Sequence, residues 1–87
     1  MTLILDSAPT TTPLLTQNPD LRLAHAAALL WRVIDRTGHV IGHLQAIAAH
    51  GGVRYRARRF HSASRCFRDL GEFWSPDDAV DCLRYAR

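Results

Sequence analysis

Arg54, Arg56 and Arg58 alternate with Val53, Tyr55 and Ala57 in the run Val53-Arg54-Tyr55-Arg56-Ala57-Arg58, the feature of this 87-residue chain with the plainest chemical meaning. In an extended strand successive side chains point to opposite faces, so the apolar three share one face and three guanidinium groups stand in a row on the other. A spacing of ~6.6 Å is close to the ~7 Å between successive phosphates along a strand of duplex, which suits a phosphate track or a groove edge. Guanidinium also forms paired hydrogen bonds with phosphate or guanine edges and stacks on bases, so the row supports both positioning and readout. Arg59, Arg65 and Arg68 extend the stretch. From Gly52 to Arg68 there are six arginines and no acidic residue, and elsewhere five arginines and eight acids, so +6 adjoins −3 within a net charge of +3. Such segregation creates a local positive field that recruits polyanions. These six arginines are the candidate nucleic-acid-binding residues.

Arginine content alone carries no weight. All eleven basic residues are arginine and alanine is abundant, the usage of a GC-rich genome such as an actinobacterium's, so only placement informs. A merely solvated face usually mixes signs, whereas like charges at i and i+2 of one strand mildly repel. The alternative use of the row is protein interaction, with the arginines docked on an acidic partner and a first helix or the N-terminal arm supplying apolar contact.

Other chemistry finds less support. His61, Cys66 and Cys82 could converge on a metal, but their spacing matches no zinc pattern, so no metal ligand is assigned. Ser62, Ser64 and Ser75 lack the context of an activated nucleophile, and a domain this small has little capacity for a deep desolvated pocket. No catalytic residue and no cofactor is expected. Two cysteines are too few for a disulfide scaffold and read as reduced thiols. No apolar run approaches the ~20 residues that cross a bilayer, and Met1 to Leu5, followed by Asp6, lacks a basic leader. A cytoplasmic location is the expectation.

The elements that must position the arginines read as follows. Residues 1–18, rich in Thr and Pro, form a flexible arm outside the core, and residues 19–87 a single domain. Asn18-Pro19-Asp20 opens a helix through Leu30. Trp31 to Asp35 is a strand ending in the turn Asp35-Arg36-Thr37-Gly38; His39 to about Ala48 is the second, and Gly51-Gly52 turns into the third, Val53 to Phe60. A short fourth strand is possible at Gly71 to Trp74. Ser75-Pro76-Asp77-Asp78 caps and starts a C-terminal helix whose Ala79, Val80, Leu83 and Ala86 share one face. The fold class is α+β: a three-stranded antiparallel sheet packed on a C-terminal helix, with an additional N-terminal helix, in the order α-β-β-β-α. Trp31, Phe60, Phe67, Phe73, Trp74 and Tyr85 are mostly core candidates, Trp74 also a base-stacking one.

The span Trp31 to Leu83, through Tyr55-Arg56-Ala57, Leu70-Gly71-Glu72-Phe73 and Ser75-Pro76-Asp77-Asp78-Ala79-Val80, resembles AP2-type and phage-integrase arm-binding domains. The resemblance implies a three-stranded sheet on one helix, with the exposed face entering the major groove. Arg54, Arg56 and Arg58 would then lie on the reading strand, and Gly71, Phe73 and Ala79 would be structural. The helix before Trp31 and the insertion His61 to Arg68 depart from that pattern. The α-β-β-β-α order is also that of double-stranded RNA-binding domains, but Asp77-Asp78 replaces their basic helix start and would repel phosphate. DNA is therefore preferred over RNA.

Overall fold

A computed structural model describes residues 12–85. Five strands, β1 (Arg22–Ala27), β2 (Leu30–Ile34), β3 (Val40–Ala49), β4 (Gly52–His61) and β5 (Cys66–Phe73), are followed by one helix, α1 (Pro76–Tyr85). The strands pair in sequence order as an antiparallel meander. Along β3, Gly42, Leu44 and Ala46 are buried while their neighbours are half-buried, the period-two pattern of a sheet covered on one side. The cover is α1, which lies on β3, β4 and β5. Its Ala79, Val80 and Leu83 meet Leu21, Val33, Leu44 and Ala57 in one buried cluster, with Tyr55, Leu70 and Phe73 packed at its margin.

The expected helix Asp20 to Leu30 and the three-stranded sheet are both corrected by this architecture. Arg22–Ala27 and Leu30–Ile34 form a hairpin in which Leu23 faces Val33 and His25 faces Trp31. Alanine's helix preference is worth less than ~1 kcal/mol per residue, and burial of Leu23 and Trp31 in an extended sheet outweighs it. The turn is also unannounced, because Leu29 takes φ 60° where glycine or asparagine is usual. At the other edge, the supposed insertion His61 to Arg68 is the last residue of β4, a turn over residues 62–65 and the first residues of β5, which runs back to Phe73.

Two hairpin turns follow their residue chemistry. Asp35 O accepts from Gly38 N at 3.0 Å, and Asp35 Oδ1 accepts from Thr37 N and His39 N, both at 2.9 Å. Gly51 and Gly52 take φ 93° and 144°, which only glycine adopts without strain. The start of α1 also matches expectation: Ser75 Oγ accepts from Asp77 N at 3.1 Å.

Residues 1–11 of the expected arm lie outside the described residues. Within the remainder, Leu15 packs against the core and residues 16–18 are strapped to α1. Asp77, 6% exposed, accepts from Thr16 N at 3.0 Å, Thr16 Oγ1 at 3.0 Å, Gln17 N at 2.9 Å and Asn18 Nδ2 at 3.0 Å. Burial pushes this carboxyl up, but the bonds from Thr16, Asn18 and Gln17 outweigh it and hold it below its ordinary 3.8. Arg84 Nη1 completes the strap by donating to Asn18 Oδ1 and Asp20 Oδ1, both at 3.0 Å.

Candidate nucleic-acid interface on the open sheet face

With Tyr55 and Ala57 packed towards α1, Arg54, Arg56 and Arg58 stand on the face that the helix leaves open. They do not stand alone there. β5 runs beside β4 with Glu72 opposite Arg56 and Asp69 opposite Arg58. Arg56 Nη2 meets Glu72 Oε2 at 2.6 Å and Arg58 Nε meets Asp69 Oδ1 at 2.8 Å. Longer contacts of 3.6 Å join Arg54 to Glu72 and Arg56 to Asp69, making a ladder of three cations and two carboxylates. The face that looked uniformly basic on one strand therefore has its signs mixed by the next. Both carboxylates point the same way only because the pairing shifts between Ala57 and Arg58. Residues three apart on a regular strand occupy opposite faces, and the bulge at Leu70 cancels that inversion.

The ladder sets both charge and posture. The Arg56 hydrogen bond holds the Glu72 carboxyl below its ordinary 4.5, and the same bond raises Arg56 further above the usual guanidinium value. Arg54 lies over the Trp74 ring at 4.5 Å and Arg58 over Phe67 at 4.8 Å, so the outer two guanidiniums are also stacked on aromatic rings. A guanidinium has five N–H donors, and Arg58 spends only some on Asp69 and on Gln45 Oε1 at 3.2 Å, leaving others for a ligand.

Further groups on this face escaped the sequence reading. Arg32 of β2 faces His43 of β3, which in turn faces Arg58, so the three form a row across the strands. The Arg32 side chain makes no hydrogen bond or ion pair among the described residues. Burial first, then Arg32 and Arg58, lowers the His43 pKa from its ordinary 6.5 and keeps the ring neutral near pH 7. His43 meets Phe67 edge-on at 4.8 Å, and Phe67 meets Phe60 edge-on at 5.5 Å. Phe60 is 47% exposed and Tyr85, at the end of α1, 72% exposed, which corrects their expected place in the core, and Trp74 is 56% exposed, the alternative given for it. The signal that could have found Phe60 was its parity with Arg54, Arg56 and Arg58.

The remaining sequence candidates separate from the row. Arg59 points to the helix side, where its Nη2 donates to Leu83 O at 2.7 Å, helping to satisfy the carbonyl end of α1. Arg68 faces Arg59 on β5, and Arg65 occupies the exposed turn with φ 56°. Arg54, Arg56 and Arg58 are thus brought together, while Arg59, Arg65 and Arg68 are not on their face. His61 Nδ1 lies 2.8 Å from Ser64 Oγ, which is 3.1 Å from Cys66 Sγ, and Cys82 is half-buried on α1. No cluster of three metal-capable side chains forms among the described residues.

The chain matches no protein-family model, no curated protein and no solved structure. Its own geometry is therefore the source of any functional reading. Among the described residues no helix is long and apolar enough to cross a membrane.

Proposed function

We propose that the protein is a non-catalytic nucleic-acid-binding module that lays its open sheet face along a single strand, DNA being the preferred partner. The observation that carries the reading is the row Arg54, Arg56 and Arg58, with a fourth arginine, Arg32, beside it and exposed Trp74 and Phe60 towards its two ends. A basic surface that tracks the backbone, with aromatic rings on which bases stack, is how sheets bind single strands without sequence readout. Three arginines against two carboxylates leave one positive charge on the ladder, and Arg32 makes it two.

Groove entry of the AP2 kind fits these dimensions less well. Five strands at ~4.8 Å spacing are ~19 Å across, against a major groove of about 12 Å that admits a helix or a two-stranded ribbon. What is kept from the resemblance is the mode, a basic sheet face laid on nucleic acid.

The deciding measurement is fluorescence anisotropy with a labelled random single strand and its duplex at roughly 50 and 200 mM salt. Alongside it runs an Arg54/Arg56/Arg58→Gln variant checked by circular dichroism. Salt-sensitive binding of the single strand, lost in the folded variant, is the expected result. Absence of binding to either form at low salt would sink the reading and turn the search to an acidic protein partner.

A further inference from the structure

The ladder between β3 and β4 stops at the pair His43 and Arg58, although β3 begins at Val40 and β4 runs on to His61. Beyond that pair the strands part company: Gly42 and Val40 follow β2, while Arg59, Phe60 and His61 follow β5. The sheet forks, and Leu83 of α1 sits behind Gly42 at the fork, where a Cβ would collide with its methyl groups. In front of the fork lies an open cleft of about 430 Å³, lined by Arg32, Val40, His43, Phe60 and Phe67 among others. That is within the range of small-ligand sites, roughly 300–1,000 Å³.

We propose that this fork is a pocket for one unstacked base of the bound strand, with Arg32 taking the phosphate beside it. The inference rests on the nucleic-acid reading above and adds a place and a chemistry to it. Phe60 and Val40 are 47% and 50% exposed at the cleft, so an apolar wall and an accessible aromatic ring await a planar ligand. The ring of Phe60 is braced edge-on by Phe67, itself braced by His43, so the stacking surface is fixed before the ligand arrives. Arg54, Arg56 and Arg58 are all engaged by carboxylates, whereas Arg32, on the rim, has every donor available among the described residues. A strand following the ladder from Arg54 to Arg58 arrives at this cleft, because Arg58 is the last residue of β4 still paired with β3.

His43 is the histidine in the wall of the cleft. Its Nδ1 is buried with no hydrogen-bond partner, and the ring is faced by Arg32 from β2, by Arg58 and its counter-ion Asp69 from β4 and β5, and by Phe67. Burial first, and then the two guanidiniums, opposes its protonation.

The test uses the full chain and a labelled oligothymidylate, with its duplex and a copy carrying abasic sites as further probes. Phe60→Ala should weaken single-strand binding about five- to fifty-fold without changing the salt slope, since stacking carries no charge. Arg32→Gln should reduce the slope by roughly 0.7, and the abasic strand should bind the wild type as weakly as the intact strand binds Phe60→Ala. Unchanged affinity in both Phe60→Ala and Arg32→Gln, with binding still lost in Arg54/Arg56/Arg58→Gln, would overturn the pocket while leaving the interface standing. Failure of the wild type to bind any strand would overturn both.

Discussion

Asp77 occupies the first turn of α1, where a carboxylate normally serves the helix dipole, yet its oxygens are turned to residues 16–18. Removing it leaves several inward-facing donors without an acceptor, so Asp77→Ala should cost about 2–3 kcal/mol in urea unfolding. Asp78, exposed on the same turn, should lose far less when changed to alanine. Gly42 is a second position where one atom decides the outcome. A Cβ there would meet Leu83 and, at 3.0 Å, the backbone oxygen of Arg58, which cannot swing aside as a side chain can. Gly42→Ala should destabilise by about 1–3 kcal/mol and loosen the fork, visible as faster amide exchange at Arg59 and Phe60. Neither role could be read from the chain. Asp77 looked like an ordinary helix-start residue, and Gly42 had no turn around it to explain its presence.

Among the elements, those whose turn chemistry was explicit were legible in the sequence: the Asp35 to Gly38 turn, the Gly51-Gly52 turn and the Ser75 cap each constrain their neighbours through residues that few other conformations favour. The β1–β2 hairpin was not, because Ala24, Ala26, Ala27 and Ala28 favour helix locally and the turn uses Leu29. The alternation of β4 correctly separated Arg54, Arg56 and Arg58 from the core, but the partners of those arginines depended on a bulge at Leu70 of β5, where the adjacent Gly71 was the one local signal. That bulge makes a prediction at the scale of the ladder. Replacing Asp69 and Glu72 together by Asn and Gln removes both counter-ions from the open face. If that face binds nucleic acid, affinity for a single strand at low salt should rise roughly three- to tenfold and the salt slope should steepen. Weaker or unchanged binding would argue that the carboxylates position the arginines more than they compete with phosphate.

For the molecule as a whole, pH probes the same contacts through stability. Asp77 is held low as described, Asp35 by Thr37 and the His39 amide, Asp20 by Arg84, and Glu72 by Arg56. A carboxylate with a depressed folded value contributes stability above its ordinary value and loses it as pH falls through the folded one, here below 3.8 for the aspartates and 4.5 for the glutamate. His43 acts earlier. Because its folded value is below 6.5, the unfolded chain takes up that proton first and stability falls as pH drops from 6.5. Urea midpoints measured from pH 8 to pH 3 should therefore decline in two stages, and His43→Gln should remove the upper one. An upper stage persisting in His43→Gln would assign it to another histidine.

The strap between residues 16–18 and Asp77 also orders events during synthesis. Each hairpin of the meander joins neighbours in the chain and can form as soon as its second strand has left the ribosome. The strap spans 59 to 61 residues and waits for α1 to emerge. Until then the apolar side of the sheet has no lid, and a nascent chain stalled before Asp77 would present Leu44, Ala57 and Val33 to whatever chaperone stands at the exit.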